Sequence, residues 1–176
     1  LAFKYRNPAI ILADGVIGQM MEKVVLPEQR PRLTNEEVMA RCPWATFGKL
    51  KHRGPNIVTS LELDPAEMEK RNIHLQQKYA EIEEKEVRYE EIHCDDAEYL
   101  IVAFGSCARI AQKAMEEARA EGIKVGLLRP ITLWPFPSKA IAERSRQVKG
   151  ILTVELNAGQ MIEDVRLAVN LSLIHI

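Results

Sequence analysis

Tyr99 to Pro137 reads YLIVAFGSCARIAQKAMEEARAEGIKVGLLRPITLWPFP. An apolar run, Tyr99 to Phe104, stops at Gly105-Ser106. A segment with helical periodicity follows from about Cys107 to Glu121 and stops at Gly122, where a left-handed residue ends a helix. Ile110, Ala111, Ala114, Met115 and Ala118 make its apolar face. A second apolar run, Val125 to Leu128, ends in Arg129-Pro130 and a Pro/aromatic loop, Trp134 to Pro137. The order is strand, tight turn, helix, strand, loop, which is a βαβ unit.

Toward the C-terminus the pattern repeats. Ser138 starts a helix to about Gln147, and Gly150 precedes a third apolar strand, Ile151 to Val154. Glu155 to Gly159 forms a turn, and a last helix runs from about Gln160 to Val169 with Met161, Val165, Ala168 and Val169 inward. Right-handed crossovers make β-α-β-α-β-α a parallel sheet with helices on its faces. The tail Leu171 to Ile176 breaks the pattern and reads as foreign to the natural sequence.

Toward the N-terminus, Leu1 to Tyr5 reads as a last helical turn, broken at Arg6-Asn7-Pro8. Ala9 to Ala13 is continuously apolar and reads as a strand buried on both faces of a parallel sheet. Asp14 caps a helix from about Gly15 to Val25. Such a strand needs neighbours, so the chain is expected to be the C-terminal part of a longer subunit. Thr34 to Glu37 starts a short helix ending near Arg41, and Trp44 and Phe47 are candidate anchors for a connecting segment. Asp64-Pro65-Ala66-Glu67 starts a long helix, with Met68, Leu75, Ile82 and Tyr89 as its apolar stripe. The run Glu81 to Glu91 is a charged face of that helix.

A net charge of −1 gives no electrostatic case for nucleic acid or an acidic membrane. No apolar run reaches the roughly 20 residues that span a bilayer. The three cysteines, Cys42, Cys94 and Cys107, are widely spaced, which fits a reducing, cytoplasmic setting. It also leaves no zinc or iron–sulfur ligand set on this chain, and His52, His74, His93 and His175 lack metal-ligand spacing.

Two strand ends fall on one sheet edge, where open α/β sheets bind ligands. Gly105 and Ser106 open a helix whose free N–H groups suit a phosphate or carboxylate, or simply turn the chain under a partner domain. Arg129 either binds an anion or pairs with a carboxylate such as Glu155. Glu155 itself suits a structural hydrogen bond better than acid/base work, and Cys107 suits packing. No G-x-G-x-x-G, P-loop, G-x-S-x-G or H-E-x-x-H is present, so no catalytic or metal-binding residue is assigned.

The strings ILADGVIGQMMEKV, IVAFGSCARIAQKAMEEAR, GIKVGLLRPITLWPFP and TVELNAGQMIEDVRLAVN resemble the α subunit of 2-oxoacid:ferredoxin oxidoreductases, above all the 2-oxoisovalerate group. The segment from Leu75 to Glu90 resembles the same group. The resemblance implies the end of a thiamin-diphosphate pyrimidine-type α/β domain over residues 1–27 and a linker with a long helix over 28–94. A transketolase C-terminal-like domain II follows over 95–170, with 171–176 outside it. It further implies oxidative decarboxylation of a 2-oxoacid, with coenzyme A as acyl acceptor and ferredoxin as electron acceptor. Thiamin diphosphate and magnesium belong mainly to a β subunit, and iron–sulfur clusters to a small ferredoxin-like subunit beside a γ subunit. Gly105, Ser106 and Arg129 are then the candidates for contact with coenzyme A or a partner subunit. The residue reading alone leaves open a pure interaction module or a transketolase-type enzyme, and it leaves the oxoacid open.

Overall fold

A computed structural model describes residues 1–45, 48 and 54–169. Phe47, His52, His175 and the tail Leu171 to Ile176 lie outside the described residues. The chain divides into two compact units, one of Leu1–Met20 with His74–Ile176 and one of Met21–Ile73.

In the first unit, α1 (Ala2–Tyr5) and α2 (Gly15–Gln19) flank an extended stretch. Asp14 caps α2 as its residue type predicts, its carboxylate accepting from the Ile17 N–H at 2.8 Å. Two sequence expectations fail here. The helix stops at Gln19 instead of Val25, and Ala9 to Ala13 forms no strand. Ile10, Ile11 and Leu12 are 82, 95 and 71 % exposed and Met21 is fully exposed, so among the described residues neither segment buries its apolar side chains. A strand also exists only through its ladder, and no described segment pairs with this one.

The second unit contains α3 (Asn35–Arg41), entered through a complete Thr34/Glu37 capping box. Cys42 is buried and Trp44 half-buried. α4 (Pro65–Lys85) starts at Asp64, whose carboxylate accepts from the N–H groups of Ala66 and Glu67 at 2.8 and 3.2 Å. Arg71 returns to the preceding segment through the Thr59 carbonyl and Glu62.

The expected helical stripe ends before its last member. α4 stops at Lys85, and Tyr89 lies in β1 (Tyr89–Ile92), so Glu90 and Glu91 belong to a strand and not to a helical face. β1 exists because β3 (Val125–Pro130) offers it an edge: Tyr89 pairs Pro130 and Ile92 pairs Leu127, antiparallel. A heptad count along the helix cannot register a partner some 40 residues away.

The remaining elements follow the expected order: β2 (Tyr99–Ala103), α5 (Gly105–Ala120), then β3, α6 (Ser138–Ser145), β4 (Gly150–Val154) and α7 (Met161–Ala168). The sheet order is β1-β3-β2-β4, with β2, β3 and β4 parallel. Strand periodicity sorts the core onto two faces. Leu100, Val102 and Leu128 pack with Ala140, Ile141, Met161 and Val165 of α6 and α7. Ile101, Ala103, Val125 and Leu127 pack with Cys107, Ala108, Ala111 and Met115 of α5. Each large side chain buried this way stabilises by about 1.5–3 kcal/mol before entropy is counted. Ile110, expected on the inner face of α5, is 67 % exposed, and Ala114 is exposed too. One helical stripe meets the sheet, and Cys107, Ala108, Ala111 and Met115 already fill it.

Candidate functional site

The turn after β2 is built by a glycine. Phe104 is extended, and Gly105 takes φ +57°, the left-handed region that side chains with a Cβ avoid. This turns the chain from strand into α5 within one residue. The Ser106 hydroxyl then donates to the second carboxylate oxygen of Asp14. That bond first, with the Ile17 N–H after it, holds the Asp14 carboxyl below the usual carboxylate range.

Arg129, on the exposed side of β3, pairs with Glu90 of β1 at 2.9 Å, both side chains about half exposed. Its expected alternative partner, Glu155, is engaged elsewhere. The Glu155 carboxylate accepts from the N–H groups of Gln160, Met161 and Ile162 at 3.2, 2.9 and 3.1 Å, and Asn157 accepts from those of Gly159 and Gln160. Partial burial acts to raise the Glu155 pKa. The Met161 N–H, Asn157 and the neighbouring N–H groups outweigh it and leave the carboxyl lowered. Glu155 therefore serves the start of α7, the structural role its sequence position favours.

The loop after β3 is fixed by polar contacts to the segment entering β1. The N–H groups of Ile131 and Thr132 donate to the Arg88 carbonyl at 2.9 and 3.1 Å. The Thr132 hydroxyl accepts from the Arg88 N–H and donates to the Pro135 carbonyl. Trp134 meets Tyr79 edge to face, ring centres 5.8 Å apart.

These pieces surround one cavity of about 710 Å³. Gly105 and Arg129, the two strand-end residues singled out by sequence, both line it, together with Phe104, Ile131 and Trp134. The extended stretch Pro8 to Ala13 forms another wall. Its size suits a small-molecule site, and its lining is largely apolar. Ser106, the third candidate, is not among the lining residues; its hydroxyl is engaged with Asp14.

Sequence reasoning missed Glu86, which also lines the cavity. It is only 7 % exposed and accepts from Lys4 Nζ at 2.7 Å and the Tyr5 hydroxyl at 2.8 Å, with Arg88 at 3.6 Å. Lys4 foremost, then Tyr5, pull its pKa from 4.5 to about 2, and Glu86 in turn raises that of Lys4. The only available sequence signal was a carboxylate past the end of a helix, lost among its charged neighbours.

Cys107 is buried in the α5 face of the core, as the packing reading has it. Cys42, Cys94 and Cys107 are free thiols, and among the described residues no three His, Cys, Asp or Glu side chains gather in a metal-binding group. These residues do not fit an iron–sulfur cluster or a magnesium diphosphate site.

Comparison with known proteins gives a consistent picture. Residues 97–176 match the family "Pyruvate:ferredoxin oxidoreductase core domain II". The chain is 49 % identical over 168 residues to the ketoisovalerate oxidoreductase subunit VorB of Methanothermobacter marburgensis, covering 96 % of this chain and 46 % of that protein. It is 29 % identical over 167 residues to the 2-oxoglutarate synthase subunit KorA of Archaeoglobus fulgidus, covering 94 % of this chain and 46 % of that one. The chain thus spans about half the length of the curated relatives it matches. Among solved structures, it superimposes on a 2-oxoglutarate:ferredoxin oxidoreductase from Magnetococcus marinus, solved with 2-oxoglutarate, coenzyme A and succinyl-CoA bound. There the TM-score is 0.54 at 23 % identity, over 61 % of this chain and 19 % of that one, a likeness of fold.

Proposed function

We infer, from the premise that this chain belongs to the 2-oxoacid:ferredoxin oxidoreductase family, its residues 97–176 matching the sequence model of core domain II, that it works as part of an α-type subunit. The complex it joins oxidatively decarboxylates a branched-chain 2-oxoacid, passes electrons to ferredoxin and releases an acyl-CoA. The observation that carries this reading is the likeness to a ketoisovalerate oxidoreductase subunit along nearly the whole chain.

In this proposal thiamin diphosphate, with magnesium, supplies the carbanion chemistry from a β-type partner subunit, and iron–sulfur clusters sit on a ferredoxin-like subunit. The described residues fit neither group, and no catalytic step is assigned to them. What they supply is a domain that docks, and one sheet edge with an apolar cavity. We assign Gly105, Ser106 and Arg129 to contact with coenzyme A or with the partner subunit across that edge. The boundaries at residues 27, 94 and 170 and a cytoplasmic location belong to the same proposal.

The test is reconstitution of the complex and assay of viologen-dye reduction with pyruvate, 2-oxoglutarate, indolepyruvate and 2-oxoisovalerate in turn. The expected outcome is highest kcat/KM with 2-oxoisovalerate and an iron-containing, brown complex. A colourless assembly lacking iron and oxoacid-dependent reduction would sink the reading and favour a pure interaction module. Within the active complex, Arg129→Ala is expected to raise the KM for coenzyme A about tenfold, the loss of one charge-assisted contact. Unchanged kinetics with an unchanged gel-filtration profile would remove Arg129 from the site.

A further inference from the structure

We propose that Glu90 is a displaceable counter-ion for Arg129, holding the guanidinium at rest and competing for it with a phosphate group of coenzyme A, so that Glu90 lowers the affinity of that contact. The inference rests on the assignment of Arg129 to coenzyme A. The two residues stand opposite each other in the antiparallel register of β1 and β3. Both lie on the α5 face of the sheet. Arg129 follows Leu127 by two positions, Glu90 precedes Ile92 by two, and Leu127 and Ile92 pack together on that side. The bond between them is single-armed, Arg129 Nη1 donating to Glu90 Oε2 at 2.9 Å. Among the described residues no other acceptor takes this guanidinium, so its Nε–H and its second amino group stay available. Arg129 lines the cavity and Glu90 does not.

The next residue on the same strand shows how a structural pair is built here. Glu91 takes Arg144 of α6, on the opposite face, with both carboxylate oxygens, at 3.0 and 2.6 Å. Asp95 meets the same guanidinium at 2.9 Å, and the Arg144 and Glu91 side chains are only 22 and 26 % exposed. Those of Arg129 and Glu90 are 45 and 49 % exposed and share one bond. A forked, enclosed pair is strong and fixed in geometry, whereas an exposed single contact is weak and readily exchanged for another acceptor. A phosphate monoester carries more charge and more acceptor oxygens than a carboxylate, so it can take Arg129 from Glu90. It does so at the expense of part of its own binding free energy, and the Glu90 charge repels it as it arrives. Both effects have the same sign: removing the Glu90 charge tightens the contact.

Titration calorimetry of the assembled complex with coenzyme A, and with its phosphate-free fragment pantetheine, tests this. Glu90→Gln keeps an acceptor at the same reach and removes the charge. It is expected to lower the Kd for coenzyme A about threefold, the scale of one exposed ion pair. Arg129→Ala is expected to raise that Kd about tenfold, and adding Glu90→Gln to it should recover almost nothing. Glu91→Gln makes the same charge change one residue away on the other face and should leave the Kd at the parent value. Pantetheine should bind all variants alike. A Kd for coenzyme A that is unchanged or raised in Glu90→Gln overturns the counter-ion role, as does an equal fall in Glu91→Gln or an equal fall for pantetheine. An unchanged Kd in Arg129→Ala overturns the proposal outright, including the case in which that variant only loosens subunit assembly. None of these results bears on the family reading, which falls only if the complex lacks oxoacid-dependent dye reduction.

Discussion

Single residues carry the polar economy of this molecule, and Glu86 shows it best. Its carboxyl is held near 2 against an ordinary 4.5, by Lys4 above all. A carboxyl lowered on folding stabilises fully above its unfolded pKa, and the contribution is lost as pH falls through the folded one. Docking of the Lys4–Tyr5 turn should accordingly weaken between about pH 4.5 and pH 2, read as rising amide exchange in residues 2–7. Glu86→Gln should weaken that docking already at neutral pH and abolish its dependence on acid in this window. Retention of the acid dependence in the glutamine variant would assign it to another group. The capping roles of Asp14, Thr34 and Asp64 were legible in the sequence because a cap acts over three residues. Glu86 was not, since its partners lie 81 and 82 positions away. The same holds for Arg129. A strand-end arginine was visible, but its partner Glu90 sits on a strand that the sequence presented as helix.

Among the elements, the β2-α5-β3 unit and its continuation through α7 were readable because each strand is a short apolar run with a turn signal, and each helix repeats on one face. The failures were at places where periodicity is silent about surroundings. Ala9 to Ala13 has the composition of a buried strand and lacks a ladder, while β1 has the composition of a charged helix end and gains one. The connection between β1 and β2 imposes a further constraint at Gly126. A Cβ there would stand 3.0 Å from the Ala97 Cβ, the Cys94 Cα and the His93 carbonyl oxygen. Two of those atoms are backbone, so the strand and the connection would have to part. Gly126→Ala is expected to destabilise by about 1–3 kcal/mol in denaturant unfolding, as overpacking does. An unchanged midpoint would show that the connection yields freely. Arg119 holds that connection from α5, bonding Asp96 and the carbonyls of His93 and Val125.

For the whole molecule, the distribution of its core sets what can be removed. Both packed clusters draw only on residues from Ile92 to Val169. Residues 1–20 contribute polar anchors and a cavity wall but nothing to either cluster. Deleting them should change the unfolding free energy of the sheet by no more than about 2 kcal/mol, the scale of a few exposed polar contacts. A larger loss, or a change in the slope with denaturant, would mean that the sheet depends on residues 1–20 to fold. No helix among the described residues is long and apolar enough to cross a membrane. The α/β class was legible at this scale from element order alone. The cavity was not, because it arises where a segment near residue 10 meets loops near residue 130.

The sheet order has a consequence in time. β1 comes first along the chain yet pairs only with β3, whose residues emerge some 35–40 positions later. On a ribosome, Tyr89 to Ile92 must therefore wait unpaired while β2, α5 and β3 are made. The long-range closure cannot be repaid until the parallel pair stands. Glu90 and Glu91 suit that wait, since two adjacent carboxylates keep a nascent strand hydrated and averse to its own kind. Once β3 and α6 are in place, Arg129 and Arg144 pair with them at 2.9 and 2.6 Å, so the charges that keep the waiting strand apart become its ties to the finished sheet.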